Sequence, residues 1–298
     1  MLELEPQLWH FHDAPSGTFT HLLACPITRR AALIDPVLGF EPGTAHIQTA
    51  AAQRVAAVIR AEHLVLDWVL ETHIHADHVS AAQFFKQRFG ARVGIGYRVR
   101  EVQRLYAPLF WGARDLATDG SQFDRLWQDD DRIIVGGIEI HVLATPGHTL
   151  DGVTYRAGRH AFVGDTVFRA DFGTARTDLI GGDAATLYQS ISRLYALQPG
   201  TILHFCHDYP RGGAPPTEQM EVDRMRTENA QLSLATSEDE FVTLRQLRDA
   251  TLPVPLLLIP AVQINIAAGQ LPCAEANGIS YLRVPLNSFG GVTVAMGE

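Results

Sequence analysis

Cysteine and positive charge are both scarce in this sequence. Only three cysteines, Cys25, Cys206 and Cys273, occur among 298 residues, and they lie far apart without paired spacing. This pattern gives no disulfide framework, and we predict a reduced, cytoplasmic protein. Lysine and arginine total 24 against 33 aspartates and glutamates, which leaves a formal net charge of −9. Nucleic acid is therefore excluded as the main partner, because phosphate binding needs clustered lysine and arginine.

The sequence also has no long uninterrupted hydrophobic run. Its most apolar stretch, residues 252–262, contains three prolines and is too short to span a membrane. Residues 1–6 show neither the basic nor the apolar segment of a signal peptide. We therefore predict a protein that has no secretion signal and does not associate with membranes.

The rest of the composition is that of an ordinary globular protein. Hydrophobic residues make up 46% of the chain and charged residues 19%, which is enough for a substantial core. No internal repeat or low-complexity linker divides the sequence, so we predict one domain over residues 1–298. Its core is expected at about 18–210, with C-terminal helices and a tail at 217–298 packed on it.

Predicted strands and helices alternate in two successive blocks. Hairpins and strand–helix units are predicted at 18–96 and again at 132–207, from β-rich runs around turn residues such as Gly136-Gly137. Two β-rich halves covered by helices indicate an α/β protein with a four-layer αββα sandwich. The spacing of apolar residues predicts helices at 46–63, 78–89, 99–110, 184–196, 217–232 and 237–250.

A histidine-rich segment directly follows a predicted buried strand. After the apolar run at 64–70 come His73, His75, Asp77 and His78. Burying imidazole and carboxylate groups costs free energy unless a partner binds them, and a metal ion is the usual partner. Alternate residues at a strand end project to one side, so His73, His75 and Asp77 are expected to converge if the chain stays extended.

Three later predicted strands also end in possible metal ligands. They lead to His148, Asp165 and His207. A single histidine at a strand end is often a structural group, but four strand ends of this kind indicate a shared site. We therefore predict one metal centre that is built from all four.

The order and spacing of these residues resemble the metallo-β-lactamase superfamily. The resemblance covers about residues 18–210 and implies the αββα metallo-β-lactamase sandwich, with the metal at the edge where the loops of two sheets meet. The matching motifs are His-x-His-x-Asp-His at 73–78, Pro-Gly-His-Thr at 146–149, Gly-Asp-Thr at 164–166 and His-Asp-Tyr at 207–209.

A shorter motif resembles one branch of that superfamily, the persulfide dioxygenases. Residues 175–178, Ala-Arg-Thr-Asp, are similar to the Gly-Arg-Thr-Asp segment of those enzymes. The alanine replaces the usual glycine, and the loop from Asp165 to this segment is slightly longer. In these departures, and in the tail segments 262–265 and 285–287, the chain looks closer to bacterial Blh-type β-lactamase-like proteins. That group is associated with sulfide detoxification.

This resemblance implies an iron-dependent persulfide dioxygenase with one Fe(II) per chain. His73, His148 and Asp165 would hold the metal, because two imidazoles and one carboxylate leave other positions open for O₂ and a substrate. The substrate would be a thiol persulfide similar to glutathione persulfide. The products would be sulfite and the free thiol.

The resemblance also implies roles for residues around the metal. Arg176 is expected to bind a substrate carboxylate, with an ion pair to Asp171 or Asp178 as the structural alternative. Tyr209 is expected to bind the substrate sulfur or to orient a metal ligand. Asp77 and Tyr209 are the predicted catalytic residues.

A second interpretation uses the same residues differently. In the dioxygenase, His75, Asp77, His78 and His207 orient the metal ligands. In a glyoxalase II-like thioester hydrolase, the chain would bind one or two zinc ions at a dinuclear site. There one metal would be bound by His73, His75 and His148, the other by Asp77, His78 and His207, with Asp165 between them. The sequence leaves both interpretations open.

Two further predictions concern a thiol and the assembly. Strand alternation places Cys206 on the opposite face from His207, so we interpret Cys206 as a small buried hydrophobe. We also predict a homodimer. Its contact would be formed by the apolar tail and by the segment 111–127, which contains Leu116, Phe123, Leu126 and Trp127. A non-enzymatic sensor would need an added recognition element, and the sequence offers no basic stripe for one.

Overall fold

The protein consists of fifteen strands and seven helices within the residues that the computed structural model describes, 4–110, 116–210 and 212–289. The strands are β1 (Gln7–Asp13), β2 (Thr18–Ala24), β3 (Arg30–Ile34), β4 (Val37–Glu41), β5 (His46–Gln48), β6 (Val65–Leu70), β7 (Val79–Ser80), β8 (Arg92–Gly96), β9 (Arg125–Trp127), β10 (Arg132–Val135), β11 (Ile138–Ala144), β12 (Val153–Ala157), β13 (His160–Phe162), β14 (Ile202–His204) and β15 (Gln219–Glu221). The helices are α1 (Ala50–Ala61), α2 (Ala82–Phe89), α3 (Val99–Phe110), α4 (Ala184–Tyr195), α5 (Val222–Glu228), α6 (Glu238–Asp249) and α7 (Leu258–Asn265).

Two six-stranded mixed sheets form the centre of the fold. The first has the strand order β1-β2-β3-β6-β8-β9, and the second has the order β10-β11-β12-β13-β14-β15. A small third sheet, β5-β4-β7, includes the strand β7 that follows the histidine-rich loop after β6. Within the first sheet β3, β6, β8 and β9 are parallel, so the ends of β3 and β6 lie at one edge.

Three buried clusters show how the layers pack. One joins side chains of both large sheets, such as Leu23, Ile34 and Val142. A second lies between the first sheet and α1, α2, α3 and α7. A third lies between the second sheet and α4, α5 and α6. The order is helix, sheet, sheet, helix, which confirms the predicted four-layer αββα sandwich.

Several predicted helix bounds are wrong because strand pairing prevails near the small sheet. The predicted helix 46–63 begins only at Ala50, since β5 pairs with β4 through Glu41 and His46. The predicted helix 78–89 begins at Ala82, because β7 also pairs with β4. Tertiary pairing overrides helical propensity at both places.

The C-terminal elements differ from the prediction in the same way. The helix predicted at 217–232 is the strand β15 followed by the short helix α5, because residues 219–221 pair with β14. The helix predicted at 237–250 is α6, which begins with a capping box between Ser237 and Glu240. The tail contains an additional helix, α7, whose Val262 packs into the first helical layer.

Two regions change the predicted limits of the core and of the proposed contact surface. The strand β1 extends the first sheet to Gln7, upstream of the predicted core. Phe123 and Trp127 are buried in the chain's own core, so these two side chains do not form a subunit contact. Residues 111–115 of that predicted contact lie outside the described residues. No helix among the residues that the structure describes is long and apolar enough to cross a membrane.

Candidate metal centre

The histidine-rich residues lie in an irregular loop, 71–78, between β6 and β7. Its backbone is held by side chains from elsewhere in the chain. Asp35, just after β3, accepts hydrogen bonds from the Thr72 N–H and the Thr72 hydroxyl, both at 2.8 Å. Asp151 accepts a hydrogen bond from the Ile74 N–H at 3.0 Å. These bonds satisfy buried backbone donors that have no strand partner.

The C-terminal part of the chain fixes the other end of this loop. The side-chain amide of Asn265, the last residue of α7, donates to the carbonyl oxygens of His75 and His78 at 2.9 and 2.8 Å. Its Oδ1 accepts a hydrogen bond from the Ser80 N–H at 2.9 Å. One buried asparagine therefore satisfies three backbone groups of the loop and its following strand. Each such group costs about 1–3 kcal/mol if left unpaired.

His73, His148 and Asp165 form the first group of possible metal ligands. One ligand atom from each lies within 4.8 Å of the others. The Asp165 Oδ2 is 3.9 Å from the His73 Nε2 and 3.6 Å from the His148 Nε2. The His73 Nε2 is buried and has no hydrogen-bond partner among the described residues. These side chains surround a common point with two imidazoles and one carboxylate, which fits iron or zinc.

Hydrogen bonds fix which nitrogen of each imidazole faces that point. The His148 Nδ1 donates to the Arg176 carbonyl oxygen at 2.7 Å, which leaves the His148 Nε2 lone pair toward Asp165. The His73 Nδ1 is 3.0 Å from the Thr72 hydroxyl, which gives its own proton to Asp35. The His73 Nδ1 therefore carries a hydrogen, and the His73 Nε2 is free to bind a metal.

Two glycines allow the ligand-bearing loops to approach closely. Gly147 has φ +134°, and a Cβ there would lie 2.4 Å from the backbone nitrogen of Leu187 in α4. Gly164 has φ +53°, and a Cβ there would lie 2.7 Å from the Thr72 hydroxyl oxygen. A side chain at either position would displace the ligand that follows it, His148 or Asp165.

His75, Asp77, His78 and His207 form the second group. One ligand atom from each again lies within 4.8 Å of the others. The His207 Nε2 is 3.3 Å from Asp77 and 3.3 Å from Asp165, so Asp165 lies between the two groups. Among the described residues, no hydrogen-bond partner is present for the His75 Nδ1, the His78 Nε2 or the His207 Nε2. We call the seven residues of both groups the metal centre.

Burial and neighbouring charges set the protonation of the metal centre. Burial, and then the nearby His75, lower the pKa of His73 well below its usual value. Burial, and then His78, do the same to the pKa of His75. Burial opposes the negative charge of Asp77, but His207 and His78 outweigh it and hold the Asp77 pKa well below its usual value. Neutral His73 and His75 and an ionised Asp77 are the forms that bind metal.

Two sequence predictions need correction at this point. His73 does not converge with His75 and Asp77 in one group, because the loop is irregular rather than an extended strand. Cys206 is buried as predicted but does not face away from the site. Its thiol donates to the Asp35 Oδ2 at 3.7 Å. The predicted orientation fails because β14 ends at His204, so strand alternation does not extend to Cys206. Burial, and then Asp35, raise the pKa of Cys206 well above its usual value, so it stays a thiol.

A cavity of about 870 Å³ opens over the metal centre. Asp77, His78, His148, Asp165 and His207 contribute to its lining. Its walls are largely apolar and come from loops on both sides of the site and from residues 252–257. This arrangement admits a small molecule to the metal centre.

Three predicted or newly identified polar residues line the same cavity. Arg176 forms a two-pronged ion pair with Asp178 at 2.7 Å and donates to the Pro253 carbonyl oxygen at 2.8 Å, so the structural alternative for Arg176 is what the structure contains. Tyr209 stacks parallel to His207, and its hydroxyl is 3.5 Å from the His207 Nδ1. Arg248 is exposed in the cavity and has no ion-pair partner among the described residues.

The structure brings together all seven predicted ligands and adds residues that the sequence did not identify. Asp35 accepts a hydrogen bond from the His75 Nε2 at 3.0 Å and adopts a left-handed backbone conformation with φ 49°. The Thr18 hydroxyl lies 3.3 Å from the His207 Nδ1 and 3.4 Å from the His78 Nδ1. A sequence signal existed for Asp35, because it follows its strand directly, as the predicted ligands do.

Comparison with protein families shows which superfamily the chain matches. Residues 15–207, well over half of the chain, match the family described as the metallo-β-lactamase superfamily. All seven residues of the metal centre fall within the matched range.

Individual relatives carry different functional names. A probable metallo-hydrolase of Burkholderia pseudomallei is 42% identical over 290 residues, covering 94% of this chain and 98% of that protein. A β-lactamase hydrolase-like protein of Xylella fastidiosa is also 42% identical, and this chain spans 66% of its length. The mitochondrial persulfide dioxygenase of Homo sapiens is 31% identical, with 87% of each chain covered.

One of the similar solved structures is of a protein named ETHE1, a name that the human persulfide dioxygenase also carries. The crystal structure of ETHE1 from Myxococcus xanthus has a TM-score of 0.71 and 29% sequence identity. The similarity covers 89% of this chain and 100% of that one.

Proposed function

Because the chain belongs to the metallo-β-lactamase superfamily, whose members are metal-dependent enzymes, we propose that it is an iron-dependent persulfide dioxygenase. One observation carries the proposal. His73, His148 and Asp165 form a ligand group of their own, while His75 groups with Asp77, His78 and His207. Two imidazoles and one carboxylate with open positions are typical of iron enzymes that use O₂.

The residues present fit one ion held by the first group. The unpaired His73 Nε2 and the hydrogen-bonded orientation of His148 leave two lone pairs toward Asp165. Iron bound there would supply O₂ activation next to the terminal sulfur of a thiol persulfide. The persulfide, one O₂ and one water would give sulfite and the free thiol. The chain's own contribution is to hold the ligands and to admit the substrate through the cavity.

The residues of the second group would act on the first through contacts that the structure contains. His75 is held by Asp35, and His207 stands between Asp77 and Asp165. We propose that they keep Asp165 oriented toward His73 and His148. Tyr209, stacked on His207 at the cavity wall, is placed to contact the substrate.

The cavity suits a thiol that carries a carboxylate, such as glutathione. Its apolar walls accommodate the body of the substrate. Arg248, which forms no ion pair within the described part of the chain, offers a cation for a carboxylate. Arg176, predicted for this role, is engaged by Asp178 and orients His148 through its carbonyl oxygen. We therefore propose Arg248 as the carboxylate-binding residue and Arg176 as a residue that shapes the site.

Relatives named for this activity add support. The human persulfide dioxygenase and the Myxococcus xanthus structure are similar along most of the chain. We also propose that the metal is iron, that the thiol carrying the persulfide is similar to glutathione, and that the protein is cytoplasmic.

Oxygen uptake tests the proposal directly. The Fe(II)-loaded protein should consume O₂ when glutathione persulfide is added and should release one sulfite for each O₂. The His148→Ala variant serves as the inactive control. Absence of O₂ uptake by protein that retains its iron would overturn the proposal.

A dinuclear zinc thioester hydrolase is the second candidate. It is favoured by the free nitrogens of His75, His78 and His207 in the second group, and by Asp165 between the groups. The name of the Burkholderia pseudomallei relative, a probable metallo-hydrolase, points the same way. Two zinc ions in the metal centre and hydrolysis of a glutathione thioester would establish this candidate in place of the first.

A further inference from the structure

Four histidines outside the metal centre meet between the two large sheets. His10 lies on β1, His21 on β2, His160 on β13 and His204 on β14. His10 and His21 are direct partners across the antiparallel ladder, which brings their side chains together on one face. None of the four lines the cavity of the metal centre.

Three of these imidazoles present nitrogens to one another at metal-binding spacing. One ligand atom each from His10, His21 and His204 lies within 4.8 Å of the other two. The Nδ1 atoms of His10 and His21 are 2.8 Å apart and share a hydrogen bond, which a bound ion would replace. His21 and His204 are fully buried, whereas His10 is half-buried. We call these residues the three-histidine cluster.

The hydrogen bonds around His21 fix its tautomer. The His21 Nε2 lies 2.9 Å from the Phe205 carbonyl oxygen, which can only accept. The His21 Nε2 therefore carries the hydrogen, and the His21 Nδ1 has a lone pair directed at His10. This is the usual arrangement of a metal-binding imidazole, whose other nitrogen donates to a carbonyl or carboxylate.

A chain of contacts fixes His204 in the same way. The His160 Nε2 lies 3.2 Å from the Glu5 carboxylate, and the His160 Nδ1 lies 2.9 Å from the His204 Nε2. Glu5 accepts from the His160 Nε2, so the His160 Nδ1 accepts from the His204 Nε2. The His204 Nδ1 is then left with a lone pair, and this buried atom has no hydrogen-bond partner among the described residues. An unpaired buried nitrogen is costly unless a ligand binds it.

We propose that the three-histidine cluster binds a divalent transition-metal ion such as zinc, through His10, His21 and His204, with His160 and Glu5 orienting His204. Three neutral imidazoles suit zinc, copper or nickel rather than magnesium or calcium. Burial, and then His10, lower the pKa of His21 to about 3, so His21 is in the neutral form that binds metal. Burial, and then His21, lower the pKa of His204 well below its usual value.

The position of the cluster indicates a structural role for the ion. A bound ion would join β1 and β2 of the first sheet to β14 of the second. Three residues after His204, the same segment supplies His207 to the metal centre. The ion would therefore fix the strand from which that ligand is presented.

Metal titration of the full chain tests this site without relying on activity. Wild-type protein stripped of metal and titrated with Zn²⁺ should bind one more equivalent than His10→Phe, which replaces a half-buried ring with another aromatic ring. His141→Phe, another half-buried strand histidine, should bind as many equivalents as the wild type. Equal zinc binding by wild type and His10→Phe would overturn the proposal.

A second measurement uses the unaltered chain and so does not depend on the folding of a variant. Crystals soaked in zinc chloride should give an anomalous difference peak between His10, His21 and His204. A map with a peak in the metal centre but none in the three-histidine cluster would overturn the proposal.

Discussion

The metal centre and the three-histidine cluster use the same side chain in different surroundings. The metal centre combines imidazoles with Asp77 and Asp165 and opens into a cavity of about 870 Å³. The three-histidine cluster has imidazoles alone, and its carboxylate, Glu5, acts only through His160. None of these histidines lines that cavity, so the cavity leads a substrate to the metal centre and not to the cluster. We therefore assign the catalytic reaction to the metal centre and a structural ion, which joins strands of the two sheets, to the three-histidine cluster.

Both regions depend on the partner of the second ring nitrogen. In the metal centre, carbonyl and carboxylate groups fix His148 and His75. In the three-histidine cluster, the Phe205 carbonyl oxygen and His160 play the same part. Substitutions that affect one region and spare the other therefore test the comparison.

The largest expected effect comes from removing a ligand of the metal centre. His73→Ala should lose the catalytic iron and lower oxygen uptake by more than about 100-fold, since even residues that only orient a ligand contribute about 10–100-fold. Zinc bound by the three-histidine cluster should remain. Metal analysis together with an oxygen electrode measures both, and the exposed His46→Ala is the control. Retained iron and activity in His73→Ala would contradict the ligand assignment.

The next effect concerns the orientation of His75. Asp35→Asn weakens the hydrogen bond from the His75 Nε2 and should lower oxygen uptake by about 10–100-fold. In the dioxygenase the iron content should stay the same, because His75 is not a ligand there. Asp67→Asn, which alters a carboxylate paired with Arg30 on the same sheet, is the control. Loss of one of two metal ions in Asp35→Asn would instead support the dinuclear hydrolase.

A third effect is on stability. It distinguishes the loop 71–78, which side chains such as Asn265 hold, from the three-histidine cluster, whose residues lie on paired strands. Asn265→Ala leaves the carbonyl oxygens of His75 and His78 unpaired and should lower the free energy of unfolding by about 2 kcal/mol. Urea denaturation should show a lower midpoint, with zinc binding by the three-histidine cluster unchanged. The exposed Asn277→Ala is the matched control. Equal midpoints for Asn265→Ala and wild type would show that the Asn265 hydrogen bonds do not stabilise the loop.

A smaller effect is expected at the cavity wall. Arg248→Ala should raise the KM for glutathione persulfide by about 10-fold with little change in kcat, because a charge-assisted hydrogen bond contributes about 1.5 kcal/mol. Steady-state kinetics measure this, with Arg224→Ala as an exposed control. If Arg248→Ala leaves KM unchanged and Arg176→Ala raises it, the substrate carboxylate is bound by Arg176.

Dimerisation is expected to have the smallest effect on the metal centre and on the three-histidine cluster. We propose a homodimer through the tail, whose large apolar side chains are exposed at Leu256, Leu271, Val284 and Leu286. Light scattering at micromolar concentration should give about twice the chain mass of 32.7 kDa. The mass of a single chain would refute the dimer.

The parts of the site that the sequence predicts are those with local spacing. His73, His75, Asp77 and His78 lie within six residues after a buried strand, so burial cost alone indicates a metal. The layer order also follows from the alternation of strands and helices. Both features depend on neighbours along the chain.

The parts that the sequence does not predict depend on distant contacts. Asn265 holds the His75 carbonyl from 190 positions away, and no local pattern indicates that pairing. His10, His21 and His204 each occupy an ordinary strand, and only the packing of two sheets brings them together. The strand β5 replaces part of a predicted helix for the same reason, because its partner β4 is not visible in helical spacing.

Anomalous diffraction from crystals of protein purified without added metal distinguishes the mononuclear iron site from the dinuclear zinc site. Data collected at the iron and zinc edges locate each ion and its ligands. We predict one iron per chain in the metal centre, bound by His73, His148 and Asp165. Two zinc ions in the metal centre, about 3.5–4 Å apart with Asp165 bridging them, would contradict it.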